Sequence, residues 1–169
     1  MITLRPIATT DASAVADAVV QSRDALRRWM VWYRDEYDAR DAAAWIEASL
    51  ATAAAGTGIQ FAVLSDVQSL LGVIGFEDVS DQTGRAMIGY WLATPATGHG
   101  IGRQAIALAL DWARAQPRLH FVWAVVAEAN LPSRRVLEAN RFHLIGARGT
   151  DERGDLALLY ELELRSAAA

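Results

Sequence analysis

The sequence predicts an α/β domain with a mixed, mostly antiparallel sheet flanked by helices. Three observations support this prediction. Apolar residues recur at helical intervals over the first third of the chain, stretches rich in Val, Ile, Phe, Tyr and Trp follow between residues 59 and 92, and helices then alternate with strands. The predicted order is β-α-α-α-β-β-β-α-β-α-β-β, which favours one sheet with helices on its faces.

The individual elements are predicted from spacing and from turn residues. In the second helix, Leu26, Trp29 and Tyr33 lie three or four residues apart, and Pro117 ends a later helix. Polar turns between residues 59 and 92 predict antiparallel hairpins. The nearly continuous apolar run at 120–126 predicts a central strand covered on both faces. We predict strands at residues 2–5, 59–64, 70–79, 87–92, 120–126, 142–147 and 156–164, and helices at residues 11–20, 22–33, 41–54, 101–115 and 132–140.

Length and composition predict a single domain spanning residues 1–169. The chain has 169 residues, 53% of them hydrophobic, which is enough for one core. It shows no internal repeat and no linker rich in Pro, Gly or Ser. No apolar run reaches the roughly 18 residues of a membrane span, and the N-terminus lacks the pattern of a signal peptide. We therefore expect a cytoplasmic protein without a membrane partner.

Several kinds of chemistry are excluded by residue type. The chain has no cysteine, which excludes disulfides, Cys-ligated metals and thiol nucleophiles. All 16 basic residues are Arg, so no Lys can act in a P-loop or form a Schiff base. The net charge is −4 and the arginines are scattered, so the chain lacks the basic surface that binding of nucleic acid requires. We expect a small-molecule or peptide substrate, with no metal and no nucleic acid.

A glycine-rich loop, Thr97-Gly98-His99-Gly100-Ile101-Gly102-Arg103, joins a predicted strand to a predicted helix. Backbone N–H groups and the positive end of the helix dipole converge there, which favours an anion site. A dinucleotide fingerprint needs Gly at the sixth position counted from Gly98 as the first, where Arg103 stands, and a P-loop needs Lys. A plain connecting turn remains an alternative. The loop alone therefore does not decide the function.

Three segments together resemble the acetyl-CoA motifs of the GNAT superfamily of N-acetyltransferases. They are Ile88-Gly89-Tyr90-Trp91-Leu92, Gly98-His99-Gly100-Ile101-Gly102 and Asn130-Leu131-Pro132-Ser133-Arg134-Arg135-Val136-Leu137-Glu138. Their order and separation match the family as well. Near the N-terminus, Leu4-Arg5-Pro6, Asp11-Ala12 and Leu26-Arg27-Arg28-Trp29-Met30-Val31-Trp32 resemble the branch that acetylates the N-terminal alanine or serine of ribosomal proteins. The resemblance covers nearly the whole chain.

The resemblance implies a single-domain GNAT fold in which two central strands splay apart to hold acetyl-CoA. It also implies an enzyme that transfers acetyl from acetyl-CoA to a primary amine, on a protein or peptide N-terminus or on a small molecule. A monomer or a homodimer is expected. The alternative is a non-catalytic acyl-CoA sensor of the same fold, because fold and cofactor site do not guarantee chemistry.

The resemblance also implies roles for individual residues. Loop N–H groups would hold the pyrophosphate, Asn130 would bond the pantetheine amide, and Ser133 would help to protonate the leaving thiolate. The alternatives are a turn residue for Asn130 and a helix cap for Ser133. Trp29 and Trp32 would line the acceptor site, although such a pair is commonly core. The implied cofactor-binding residues are Trp91, Leu92, Gly98, His99, Gly100, Ile101, Gly102, Arg103, Asn130 and Ser133.

The general base is less clearly indicated. An amine acceptor must lose a proton before it attacks, and Met87 stands where the family often has Glu. Glu77 and Glu152 are the candidate bases, and strand alternation places Asp78 on the face opposite Glu77. A second departure is Arg141, where many relatives have Gly before the Phe.

Overall fold

The computed structural model describes residues 1–151 and 154–164, whose seven strands form one sheet. The strands are β1 (Thr3–Pro6), β2 (Ile59–Leu64), β3 (Leu70–Ser80), β4 (Arg85–Leu92), β5 (Phe121–Ala127), β6 (His143–Thr150) and β7 (Leu156–Glu163). Their order across the sheet is β1-β2-β3-β4-β5-β7-β6. Neighbouring strands are antiparallel except β4 and β5, which are parallel. The predicted mixed and mostly antiparallel sheet is confirmed.

Five helices lie on the faces of this sheet. They are α1 (Ala12–Gln21), α2 (Arg23–Trp29), α3 (Ala39–Ala54), α4 (Ile101–Ala115) and α5 (Leu131–Ala139). The predicted order of helices and strands is confirmed, with short 3₁₀ turns at Thr9–Asp11 and Thr94–Ala96 added. Within the described ranges, no helix is long and apolar enough to cross a membrane.

Two apolar clusters cover the two faces of β3 and β4. Ile74 and Ile88 belong to the cluster that contains Leu110 of α4, and Trp91 belongs to the cluster that contains Val15 of α1 and Ile46 of α3. Successive side chains of a strand point to opposite faces, so Ile88 and Trp91 can serve different clusters from one strand. The centre of the sheet is therefore buried on both sides.

The prediction that β5 is covered on both faces is wrong. Val122, Ala124 and Val126 are buried, but Val125 between them is 40% exposed. The helices α1 and α3 pack on β2 and β3 rather than on β5. The apolar sequence of β5 therefore does not mean that helices cover both of its faces.

The second helix ends earlier than its spacing predicts. Helix α2 stops at Trp29, and Met30 adopts extended backbone after its N–H has bonded the carbonyl of Leu26. Met30, Tyr33 and Tyr37 instead pack against the apolar cluster of α1 and α3. Tertiary packing thus overrides helical periodicity, and residues 30–38 form a loop beside the sheet.

Helix α5 ends in a Schellman motif whose left-handed position is occupied by Arg141. The N–H of Phe142 bonds the carbonyl of Leu137, and the N–H of Arg141 bonds that of Glu138. Arg141 has a φ of 67°, a conformation that glycine adopts more easily. This backbone explains why a Gly is common there, and it leaves the remainder of the helix undisturbed.

The parallel strands β4 and β5 separate soon after they begin. They pair at Arg85–Phe121, Ala86–Val122 and Met87–Trp123, and the described ladder between them ends there. Beyond this point β4 continues to Leu92 and β5 to Ala127. The predicted splay of the central strand pair is confirmed.

Candidate active site

The glycine loop lies at the open end of the gap between β4 and β5. Gly98 and Gly100 have φ values of 79° and 75°, which favour glycine. A Cβ added to either would meet no atom within 4 Å, so the loop faces open space. Gly100 is the N-cap of α4, and no side chain caps this helix. The N–H groups of its first turn are therefore available to an anion.

The other loop residues have different surroundings. A Cβ on Gly102 would lie 3.6 Å from side-chain atoms of Leu92 and Val136, so Gly102 lets α4 pack closely against β4 and α5. The side chains of His99 and Arg103 are exposed. The loop thus combines a packing glycine with an open, partly basic rim.

A hydrogen bond joins Tyr90 of β4 to Ser133 of α5. Their hydroxyl oxygens are 2.7 Å apart, and the Tyr90 hydroxyl also lies 3.2 Å from the carbonyl oxygen of Ser133. Burial raises the pKa of Tyr90 to about 12, although the hydrogen bond with Ser133 opposes this rise. Tyr90 is therefore a neutral hydroxyl group at physiological pH. In the sequence, Tyr90 is recognisable only as part of a motif, and no local spacing predicts its contact with Ser133.

Asn130 is the N-cap of α5. Its Oδ1 accepts a hydrogen bond of 3.2 Å from the backbone N–H of Ser133. This bond fixes the first turn of the helix and places Ser133 near β4. The capping role that was the alternative for Ser133 belongs to Asn130, and the Ser133 hydroxyl is bonded to Tyr90 instead.

A cleft opens on the face of the sheet that carries α1 and α3, and we call it the acceptor cleft after the role that the resemblance implies for Trp32. Its volume is about 310 Å³. The residues that line it come from α1, from the loop after α2, from α3 and from three strands. They are Val15, Met30, Trp32, Tyr37, Trp45, Gln60, Val73, Glu77, Gly89, Tyr90 and Trp91.

Glu77 lines this cleft and lies directly opposite Met87 in the β3–β4 ladder. Opposed residues of an antiparallel pair share one face of the sheet, so Glu77 stands beside the position where the family often has Glu. The Nε2 of Gln60 donates a hydrogen bond of 3.3 Å to Glu77 Oε1. A Cβ on Gly75 would lie 2.1 Å from the Gln60 side chain, so Gly75 provides the space for Gln60.

The acceptor cleft carries little charge. Among its described lining residues, Glu77 is the one with a formally charged side chain. Burial, together with the nearby Asp41, raises the pKa of Tyr37 to about 12, so Tyr37 stays neutral as Tyr90 does. Within residues 1–151 and 154–164, no group of three or more potential metal ligands is present.

The remaining predicted site residues are placed differently. Trp32 lines the acceptor cleft, whereas Trp29 is outside its lining and lies beneath the Arg28 guanidinium, 4.5 Å from the ring centroid. Glu152 falls outside the described residues. The cleft residues that sequence reasoning missed include Met30, Tyr37, Trp45 and Gln60. No local spacing links them, because they come from the loop after α2, from α3 and from β2.

Residues 1–143 match the family model described as the acetyltransferase (GNAT) domain. The chain belongs to the GNAT acetyltransferase family. This match covers most of the sequence, and it includes the glycine loop, β4 and α5. The predicted family and fold are thereby confirmed, and the splayed strands have the position that the resemblance implied.

Individual relatives agree with this membership. "Probable N-acetyltransferase YjcK" of Bacillus subtilis is 37% identical over 78 residues, which are 46% of this chain but only 43% of that protein. "Putative ribosomal N-acetyltransferase YdaF" of the same organism is 28% identical over 138 residues, 81% of this chain and 75% of that protein. The solved structure of Mycobacterium smegmatis RimJ in complex with a CoA disulfide is 26% identical, with a TM-score of 0.88 over 96% of this chain and 81% of RimJ.

Proposed function

We propose that this GNAT protein transfers an acetyl group from acetyl-CoA to a primary amine on a protein or peptide N-terminus or on a small molecule. One observation carries the proposal. Strand β4 borders both halves of the site: Gly89 and Trp91 line the acceptor cleft, while the Tyr90 side chain packs on the opposite face and is hydrogen-bonded to Ser133 beside the gap between β4 and β5. One strand therefore connects the groove suited to the cofactor with the cleft suited to the amine.

The residues around the gap fit the cofactor. Acetyl-CoA supplies an acetyl group activated as a thioester. The N–H groups at Gly100–Gly102 are suited to its pyrophosphate, and the exposed Arg103 adds positive charge. The backbone of Trp91 and Leu92 continues beyond the last pair with β5, where an extended ligand can add to the strand. The Asn130 side chain is suited to donate a hydrogen bond from its Nδ2 to a carbonyl group of the pantetheine.

Two proton movements are assigned to two sides of β4. The carboxylate of Glu77 takes the proton from the acceptor ammonium, directly or through water, and the Gln60 amide holds that carboxylate by its hydrogen bond. The Ser133 hydroxyl donates a proton to the leaving thiolate sulfur. Water then reprotonates Ser133, and the Tyr90 hydroxyl, which stays protonated, holds Ser133 Oγ in place through their hydrogen bond.

The alternative is an acyl-CoA sensor without turnover. Met87 is the observation in its favour, because the carboxylate common at that position is replaced by a thioether. The opposed Glu77 argues for catalysis instead, since it supplies a carboxylate on the same face. Cytoplasmic location, a single domain of residues 1–169 and a monomeric or homodimeric state remain predictions from the sequence.

The proposal is tested by measuring free CoA released from acetyl-CoA in the presence of peptides, free amino acids and small amines. Amine-dependent release above background hydrolysis is expected for at least one class. Acetyl-CoA binding without release for any amine would favour the sensor. Absence of acetyl-CoA binding would contradict both readings, because each depends on the glycine loop.

A further inference from the structure

The wall of the acceptor cleft is mainly aromatic and aliphatic. Apart from the hydroxyl and indole groups of aromatic residues, its polar side chains are Gln60 and Glu77. These two are hydrogen-bonded to each other. The apolar and aromatic members are Val15, Met30, Trp32, Tyr37, Trp45, Val73 and Trp91, whereas Tyr90 borders the cleft but packs into the cluster on the opposite face. Such a wall favours a ligand that brings its own apolar group next to the reacting amine.

Trp32 is placed to contact that apolar group. It projects from the loop after α2, and its ring centroid lies 5.8 Å from that of Tyr37 and 6.2 Å from that of Trp91. It remains 42% exposed, so a ligand in the cleft can cover more of its surface. Trp91 belongs to the strand that borders the cofactor gap. Trp32 therefore extends the wall of the cleft from Tyr37 toward that gap.

The charge of the cleft discriminates between amines. Glu77 attracts an ammonium group, and aromatic faces add to that attraction. The described lining contains no cation to pair with an acceptor carboxylate, which would lie near Glu77. Neighbouring arginines are already paired, Arg34 with Asp41 and Arg27 with Asp35. A negative group beside the amine is therefore unfavourable.

We propose that the acceptor is a primary amine whose adjacent carbon carries a bulky apolar or aromatic group and no carboxylate. This proposal rests on the proposed function. The volume of about 310 Å³ is at the lower end for ligand pockets and suits one side-chain-sized group. A peptide that begins with such a residue and a free arylalkylamine both present this chemistry, whereas a free amino acid does not.

The reaction balances with these residues. The amine nitrogen forms a C–N bond to the acetyl carbon, and the C–S bond of the thioester breaks. The ammonium proton goes to the Glu77 carboxylate and from there to water, and the thiolate sulfur receives a proton through the Ser133 hydroxyl, which water reprotonates. No oxidant, reductant or further reactant is required.

The test compares acceptors that carry the same ring, with kcat/KM expressed per unprotonated amine because a carboxylate and a carboxamide give the amine different pKa values. Phenylalaninamide and free phenylalanine present the same ring, and we expect kcat/KM to be at least about tenfold higher for the amide. Alaninamide, which lacks the ring, is expected to be poorer than phenylalaninamide. A peptide beginning with Phe and phenethylamine then distinguish a peptide source from a small-molecule source.

Variants of the wall give an independent readout. Met30→Arg adds a cation to the cleft lining and is expected to narrow the preference for phenylalaninamide over phenylalanine by several-fold. Val31→Arg is the matched control, because Val31 is 58% exposed and outside the lining, and the preference should not change. Trp32→Ala should lower kcat/KM for phenylalaninamide more than for alaninamide.

The outcomes separate this inference from the proposed function. Equal or better use of free phenylalanine by the wild-type protein would overturn the acceptor class while leaving the transferase intact. If no amine supports CoA release, the proposed function fails. In that case the affinities of the two ligands are measured by quenching of tryptophan fluorescence. Tighter binding of phenylalaninamide than of phenylalanine supports the proposed ligand class, and the reverse order overturns it.

Discussion

The hydroxyl groups of Tyr90 and Ser133 share a hydrogen bond of 2.7 Å across the junction of β4 and α5. Because Tyr90 belongs to the strand that borders the acceptor cleft and Ser133 to the first turn of the helix beside the cofactor gap, the bond fixes that helix to β4. Its loss is therefore expected to affect the chemical step more than ground-state binding.

Tyr90→Phe is expected to lower kcat by about tenfold or more with little change in acetyl-CoA affinity, since the hydroxyl acts on proton transfer. Because the pKa of Tyr90 is raised to about 12, its titration should cause no loss of rate between about pH 7 and pH 10. Tyr33→Phe is the matched control, because Tyr33 bonds Asp35 outside the cleft. Ser133→Ala and the double variant should show strongly non-additive losses of kcat; additive losses would contradict a shared role.

Glu77→Gln is expected to reduce kcat by about 100-fold, because the carboxylate accepts the acceptor proton. Asp78→Asn is the matched control, being an exposed carboxylate next in the chain and outside the cleft lining. Since Met87 opposes Glu77 on the same face, adding Met87→Glu to Glu77→Gln should restore part of the rate. Steady-state kinetics with a good acceptor measure all three, and an unchanged kcat in Glu77→Gln would rule out this base.

Gly100→Leu is expected to weaken CoA binding by at least about tenfold, because its side chain would occupy the open space above the first turn of α4. Gly56→Leu is a matched control, since Gly56 has a similar φ of 72° and equally open surroundings. Both changes should cost about 1–2 kcal/mol of folding stability for the left-handed backbone. Calorimetric titration with CoA separates them, and equal affinities would exclude the loop as the pyrophosphate site.

Asp11→Asn is expected to lower the free energy of unfolding at pH 7 by about 1–2 kcal/mol, because Asp11 accepts hydrogen bonds from Arg5 and from the Ala8 amide. Burial raises the pKa of Asp11, but those bonds and the charge of Arg5 outweigh it, so its pKa lies below the ordinary value. A depressed folded-state pKa gives stability that is present above the unfolded value of about 3.9 and is lost as pH falls through the folded value. Urea unfolding at pH 7 and below pH 3 should show the difference shrinking; the exposed Asp17→Asn serves as control.

Local sequence determines some elements completely. The bounds of β2 and α4 agree with prediction because each has a clear period and a clear stop, such as Pro117 after α4. The end of α2 could not be predicted, since Met30 leaves the helix to pack on residues distant in sequence. The exposed face of β5 could not be predicted either, because an apolar run does not show which part of the sheet the helices cover.

The site shows the same division. The glycine loop is one local motif, and the segment with Asn130 and Ser133 is another. Both motifs lie beside the gap between β4 and β5. The acceptor cleft depends on contacts between distant residues, such as Gln60 with Glu77 and Trp32 with Trp91. No spacing along the chain indicates these pairs, because they arise from strand register and from the course of a loop.

The sheet consists of two blocks, β1–β4 and β5-β7-β6, joined by three residue pairs at one end of the β4–β5 junction. Among the described residues, no ladder pair beyond Met87–Trp123 fixes the distance between Leu92 and Ala127. The width of the groove at that end therefore depends on helix packing rather than on strand pairing. Gly102 of α4, which has room for no more than a close contact with Leu92 and Val136, is one of the residues on which this width depends.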